Sequence, residues 1–247
     1  MIKDLIRFAA RGMGLELHRY IPARSYSAQL QAMMNAHRID LVFDVGANTG
    51  QFGRELRKHL GYQGRIVSFE PTADAHQKLV ANAKGDKKWI IANRCAIGAS
   101  EGFVNINISA NSVSSSVLPM LHAHVDAAPS SRYVSSEEVP LYRLDALAQI
   151  WLDNSKSSMI KIDTQGFESE VLKGAIKTLS QAQGLQLELS LVPLYEGQKL
   201  MSELMAEISE MGFNLWGMFP AFCDDSNGRL LQVDATFFRA KDSIDLP

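Results

Sequence analysis

The spacing of apolar residues changes along the chain, and each change predicts a different kind of element. Near the amino terminus Ile2, Leu5, Ile6, Ala9 and Met13 fall on one helical face, and after Pro22 so do Leu30, Met33 and Met34, which predicts two amphipathic helices. Arg7, Arg11 and Arg19 make this end basic. A basic amphipathic helix can lie on an anionic membrane, but a helix that covers the open end of a sheet has the same pattern, and that is the expected role.

Beyond residue 40 the apolar runs shorten. Leu41-Val42-Phe43-Asp44-Val45, Arg65-Ile66-Val67-Ser68-Phe69-Glu70 and Trp89-Ile90-Ile91-Ala92 read as buried strands separated by helices over about 49–60 and 74–84, the second capped by Asp74. Alternation of strand and helix predicts a right-handed parallel sheet. Residues 159–163 continue it as a fourth strand and 185–189 as a fifth, with a helix over 168–179 between them. Residues 103–108 alternate as a half-buried strand, whereas the Ser-rich stretch 109–136 has little periodicity and is expected to be a lid or insertion. A helix over 199–211 stops at Gly212, and strands over 213–219 and 230–238 flank Asp224-Asp225-Ser226-Asn227-Gly228. The Asn-Gly step predicts an antiparallel hairpin.

The composition narrows the function classes. With 247 residues, 46% of them hydrophobic and 21% charged, the chain can fill one α/β domain, expected over 40–247 after a helical extension at 1–39. Lys and Arg number 25 against 27 for Asp and Glu, which leaves no positive excess for a phosphate backbone, so no nucleic-acid partner is expected. Cys95 and Cys223 form no metal-ligand pattern, no metal is expected, and a reducing cytoplasm suits them. No run of 18 or more apolar residues predicts a membrane span.

The chemistry is concentrated at strand ends. Asp44-Val45-Gly46-Ala47-Asn48-Thr49-Gly50 joins a strand to a helix, and Glu70 ends the next strand. Glycines allow close backbone approach, a helix N-terminus offers free N–H groups, and an acid at the second strand end can accept ribose hydroxyls, so the arrangement suits a nucleoside. A dinucleotide fingerprint from Gly46 would need glycines where Asn48 and Gln51 stand, which disfavours a nicotinamide dehydrogenase. Asp44 would repel a pyrophosphate but attract the ammonium group of S-adenosylmethionine.

Phe43 to Gly50, Ser68-Phe69-Glu70-Pro71 and Ile160-Lys161-Ile162-Asp163-Thr164-Gln165-Gly166-Phe167-Glu168 together resemble the FkbM-type methyltransferases. Ala96-Ile97-Gly98, Ser114-Ser115-Ser116, Leu144-Asp145-Ala146-Leu147, Val171-Leu172-Lys173-Gly174-Ala175 and Glu188-Leu189-Ser190 extend the likeness over about 40–239. The resemblance implies a Rossmann-like class I methyltransferase fold, with a seven-stranded, mostly parallel sheet. It also implies S-adenosyl-L-methionine as cofactor and O-methylation of a carbohydrate or glycolipid acceptor. Many members have Glu where this chain has Gln165. Val192-Pro193-Leu194-Tyr195-Glu196-Gly197-Gln198 resembles a branch acting on bacterial glycolipids and lipo-oligosaccharides.

Transferred position by position, the resemblance assigns Asp44, Gly46, Asn48 and Gly50 to the methionyl part, Glu70 to the ribose, and Cys95, Ala96 and Ile97 to the adenine, with Ala47 and Pro71 also expected to bind the cofactor. That a cysteine stands at position 95 is better accounted for by a small buried thiol. Asp163, ending the fourth strand, is the expected proton acceptor, with Lys161 and Glu188 beside it. Ser115, Tyr195 and Phe222 are candidates for acceptor contact, while His122 and His124 are expected to face solvent. A different class of function is a nucleoside-binding module without catalysis in a glycan-assembly complex; cofactor turnover separates the two.

Overall fold

The computed structural model describes residues 2–17 and 19–240, so the Ile2 side chain and the last seven residues of the expected domain lie outside the described residues. Ten strands follow in chain order: β1 (Leu41–Val45), β2 (Arg65–Phe69), β3 (Trp89–Ile91), β4 (Ala96–Ile97), β5 (Gly102–Ser109), β6 (Tyr133–Tyr142), β7 (Ser158–Ile162), β8 (Gly184–Ser190), β9 (Phe213–Asp224) and β10 (Arg229–Arg239). Seven of them form one sheet in the order β3-β2-β1-β7-β8-β10-β9, and β4-β6-β5 form a small second sheet. The strands from β3 to β8 run parallel, and β10 is antiparallel to both β8 and β9. This is the Rossmann-like class I methyltransferase sheet with its carboxyl-terminal hairpin.

Helices α1 (Ile2–Gly12) and α2 (Tyr26–Ala36) precede the sheet, and α3 (Gln51–Lys58) and α4 (Ala73–Ala83) connect its first three strands. α5 (His122–Ala127) lies between β5 and β6, and α6 (Leu144–Leu147) and α7 (Gln149–Leu152) lead into β7. α8 (Glu168–Lys173) and α9 (Ile176–Gln181) join β7 to β8, and α10 (Met201–Glu210) precedes the hairpin.

Strand register explains how short apolar runs carry a polar site. Asp44 faces Ser68 on β2 and Lys161 on β7; Lys161 faces Gln186 on β8, which faces Thr236 on β10. Opposed residues project to the same side of a sheet, so five buried polar side chains cross one face in a row. The other face carries Phe43, Val45, Phe69, Ile160, Ile162 and Leu187, packed with Leu144, Val171, Leu172 and Leu204 from the later helices. Leu30, Met33, Leu56 and Leu79 from α2, α3 and α4 cover the first face around the polar row.

Several local expectations are corrected. Thr72, not Asp74, borders α4; Asp74 sits in its first turn and pairs with Lys78 at 2.6 Å. The single helix expected over 168–179 is broken, because Gly174 O accepts from Asp145 N at 3.0 Å while the Asp145 carboxylate accepts from the backbone of Lys177 and Thr178 at the start of α9. α1 does not cover the sheet: Leu5, Ile6, Phe8 and Met13 are exposed, and Ala10 alone of its described side chains is buried. Residues 109–136 are knit into the fold, with 133–136 already in β6 and Ser116 bridging backbone to backbone with Asn107. Ser and Asn side chains satisfy much of this segment's backbone, which leaves no apolar period to detect.

Candidate active site

β1 delivers the chain into a turn where Gly46 has φ +76° and Asn48 φ +47°. The turn lies against the end of β7, because Asp163 N donates to Val45 O at 3.0 Å. A Cβ on Gly46 would stand 1.8 Å from Asp163 O, so only glycine allows the two strand ends to approach this closely. Gly50 does different work. Its missing Cβ makes room for Leu79 and Trp89, and it stays out of the cavity lining.

A cavity of about 290 Å³ opens at the carboxyl ends of β1, β2 and β7, at the point where the strand order reverses. Its first end is lined by Gly46, Ala47 and Asn48, by Glu70 and Pro71, and by Cys95, Ala96 and Ile97. Glu70 is buried. Asn48 N donates to its Oε2 at 2.8 Å, and Thr72 donates to Oε1 through N at 2.9 Å and Oγ1 at 2.6 Å, so the carboxylate is fixed at the cavity wall with lone pairs to spare. Burial pushes the Cys95 thiol up to about 11, which makes it an inert wall rather than a nucleophile.

Asp44 lies beneath this floor, fully buried and outside the lining. It anchors a chain of contacts that runs across the sheet. Trp89 Nε1 donates to Ser68 Oγ at 3.0 Å, and Ser68 Oγ donates to Asp44 Oδ2 at 3.1 Å. Lys161 Nζ stands 3.5 Å from Asp44 Oδ1 and donates to Gly46 O at 3.1 Å and Asp163 Oδ2 at 3.2 Å. Gln165 Nε2 donates to Asp163 Oδ1 at 2.8 Å and to Glu188 Oε2 at 2.7 Å, while Tyr195 OH donates to Gln165 Oε1 at 2.7 Å. An amide at position 165 therefore separates two carboxylates that a glutamate there would crowd with a third.

The second end of the cavity is built by residues without a local sequence signal: Tyr26 from α2, Glu55 from α3, Gln186 from β8 and Asp234 from β10, with Asp163 between the two ends. Gln186 Nε2 donates to Tyr26 OH at 2.8 Å. Burial and then the Asp163 carboxylate push Asp234 up to about 6, against the opposing pull of Lys161. Glu188, opposite Asp234 in the ladder, is raised well above the carboxylate range by burial and then by Asp163 and Asp234. For Lys161, burial acts to lower the pKa, but Asp163 and Asp44 outweigh it and hold the ammonium above its ordinary value.

The remaining expected site residues fall apart from one another. Ser115 lines the cavity together with Ser112, Val113 and Val117. Glu188, Tyr195 and Phe222 do not line it. Tyr195 is buried, reaching the site only through Gln165, and Phe222 packs on the His124 ring at 5.2 Å. His124 is itself buried, contrary to expectation, and lies edge-on to Tyr195 at 5.1 Å. No group of three or more His, Cys, Asp or Glu side chains among the described residues is placed to hold a metal ion.

Two properties of the cavity fit S-adenosylmethionine: a buried carboxylate at the end of β2 for ribose hydroxyls, and more carboxylates than ammonium groups for a cationic sulfur. The free N–H groups expected in the turn are not found there, because Gly46 N and Ala47 N donate to Phe69 O, Asn48 N to Glu70, Thr49 N to Asn48 Oδ1 and Gly50 N to Ala47 O. The family model described as "Methyltransferase FkbM domain" matches residues 44–215. No curated protein matches the sequence. Among solved structures, the chain is similar to a methyltransferase FkbM from Methylobacillus flagellatus KT at 14% identity and a TM-score of 0.46, covering 80% of this chain and 43% of that one. The chain thus spans less than half the length of that protein. It is also similar to the magnesium protoporphyrin IX methyltransferase ChlM from Synechocystis PCC 6803 (11% identity, TM-score 0.46, 88% of this chain and 78% of that one). An rRNA methylase from Streptococcus thermophilus gives 8% identity, a TM-score of 0.48, and coverage of 91% and 100%. With most of its length inside that family match and a cavity suited to the methyl donor, the chain belongs to the FkbM-type methyltransferases and is an enzyme dependent on S-adenosylmethionine.

Proposed function

We propose that the enzyme transfers the methyl group to a hydroxyl of a carbohydrate-containing acceptor, such as a glycolipid, lipo-oligosaccharide or surface glycan. The observation that carries this reading is the second end of the cavity, where Tyr26, Glu55, Gln186 and Asp234 present polar atoms from four separate elements. A sugar offers several hydroxyl donors at once, and carboxylates and amides accept them. An anionic acceptor would meet Glu55, Asp163 and Asp234 together and be repelled.

S-adenosylmethionine supplies, when bound, a methyl group on a positively charged sulfur, so alignment of the acceptor oxygen provides most of the acceleration. Glu70 would hold the ribose, the turn at Gly46, Ala47 and Asn48 would flank the methionyl part, and Cys95, Ala96 and Ile97 the adenine. Lys161 positions both Asp163 and the Gly46 carbonyl, and Glu188 positions Gln165. Asp163 is the expected proton acceptor and keeps lone pairs for it, but each of its oxygens is also held by a donor, Lys161 on one and Gln165 on the other, so a proton there competes with an existing bond. The Asp234 carboxylate accepts no hydrogen bond among the described residues. We therefore assign the hydroxyl proton to Asp234 and to Asp163 the fixed negative charge facing the sulfonium.

Cys95 and Cys223 are unpaired, which supports a cytoplasmic setting. No described helix is long and apolar enough to cross a membrane. The test is mass spectrometry of surface glycolipids and glycans from cells with and without the protein. A sugar O-methyl group present only with the protein is the expected outcome; identical glycans together with a methylated small molecule of another class would refute the acceptor assignment.

A further inference from the structure

We propose that residues 4–24 dock the protein on an anionic lipid surface. Leu5, Ile6, Phe8 and Met13 on α1 are exposed, and the exposure continues through Leu15, Leu17 and Tyr20, with Phe8 at 77% and Tyr20 at 71%. Leu215, Trp216 and Met218 on β9 are also exposed, but that group is shorter and each of its members is less exposed than Leu5, Ile6, Phe8 and Met13. At the helical repeat, Leu5, Ile6, Ala9 and Met13 share one face with Phe8 at its flank, while Arg7 and Arg11 stand on the opposite face. An interfacial helix has this division, with its apolar face sunk at the headgroup boundary and its basic face toward the headgroups and water.

Charge decides the occupant. The first 24 residues hold Lys3, Arg7, Arg11, Arg19 and Arg24 against Asp4 and Glu16, in a chain whose net charge is −2. The segment is therefore positive on an otherwise negative protein, which favours anionic over zwitterionic lipid. A second copy would bring the same positive sign against itself. The segment also runs directly into Tyr26, which opens α2 and lines the acceptor end of the cavity. Docking through it places the lipid surface beside that end. The docking stands apart from the choice of acceptor, since it needs only α1 and the arginines.

Flotation of the full chain with vesicles tests this. Equimolar phosphatidylcholine and phosphatidylglycerol vesicles should carry the protein upward, and phosphatidylcholine alone should not. Leu5→Ser combined with Phe8→Ser should lower partitioning on the order of a hundredfold. Arg7→Gln combined with Arg11→Gln leaves the apolar face intact and should lower it by about 25-fold, at about fivefold per arginine. Calorimetry with S-adenosylhomocysteine should give the wild-type affinity for both variants, which separates loss of docking from loss of fold or of cofactor binding. Failure to float with the anionic vesicles, equal flotation with both, or a dimer in sedimentation velocity that Leu5→Ser and Phe8→Ser abolish would overturn the proposal.

Discussion

Lys161 stands directly opposite Asp44 in neighbouring parallel strands, its Nζ 3.5 Å from Asp44 Oδ1 and both side chains withdrawn from water. The pair ties the floor of the cofactor end to Asp163, which the same ammonium touches. Removing one partner of a buried pair leaves the other charge uncompensated, so Lys161→Met should destabilise the fold by about 3–5 kcal/mol in urea titration. Adding Asp44→Leu should recover part of that loss. A single variant within about 1 kcal/mol of the wild type would show that the pair carries no structural role.

Glu70 should govern cofactor affinity. Glu70→Ala removes a charged acceptor from the first end of the cavity and should weaken S-adenosylhomocysteine binding by about 1.5–3 kcal/mol in calorimetry. Because Asn48 and Thr72 donate to the same carboxylate, some thermal stability is lost with it, and Glu70→Gln should retain more of both. NAD should bind neither protein. Unchanged affinity in the alanine variant would remove Glu70 from the cofactor site.

The cofactor half of the site was readable because its parts are local. Gly46, Ala47 and Asn48 follow the end of β1 and Glu70 the end of β2, where a glycine or an acid after an apolar run is conspicuous, and 95–97 lie shortly beyond β3. The acceptor half had no such signal. Tyr26, Glu55, Gln186 and Asp234 are brought together by helix packing and by strand register, neither of which a single sequence displays. Asp234 does interrupt the apolar run of β10, as Asp44 interrupts β1, and a lone acid in a buried strand is the cue that could have found it. Tyr195 and Phe222 sit near prolines, which suggested open loops, but both pack on His124.

The same His124 gives a prediction about stability and pH. Its Nδ1 is buried without a partner, and burial lowers its pKa from 6.5 to about 4. Between those values the unfolded chain binds a proton that the folded chain does not, so stability should rise with pH through this window and fall as pH drops from about 6.5 toward about 4. His124→Phe keeps a ring against Tyr195 and removes the titration. Denaturation midpoints from pH 4 to 7 should be flatter for the variant; parallel curves would mean that His124 is not the responsible group.

The Ser-rich segment makes a separate prediction. Ser112, Val113, Ser115 and Val117 form a wall of the cavity, held by turn contacts and a single bridge to Asn107 rather than by a continuous ladder. Amide hydrogen exchange over 110–118 should be faster than in β1 and β7 in the free protein and slow on addition of S-adenosylhomocysteine. Protection equal to that of the strands without ligand would make the segment a fixed wall and not a lid.

The two cavity carboxylates can be told apart by rate and by pH. Asp234→Asn keeps the shape and removes the free acceptor, so kcat should fall by about 10²- to 10⁴-fold with cofactor affinity little changed. A proton acceptor works only when ionised, and the Asp234 pKa is pushed up to about 6, so kcat/KM of the wild type should climb with pH through an acid limb near 6, and that limb should vanish in the variant. Asp163→Asn removes fixed charge beside the sulfonium and loosens Lys161, so it should weaken cofactor binding as well as lower the rate, while the acid limb persists at a shifted position because Asp163 no longer raises Asp234. Loss of the acid limb in Asp163→Asn and its retention in Asp234→Asn would reverse the two roles. In that case Asp163 would take the proton on a lone pair that the bonds from Lys161 and Gln165 leave open.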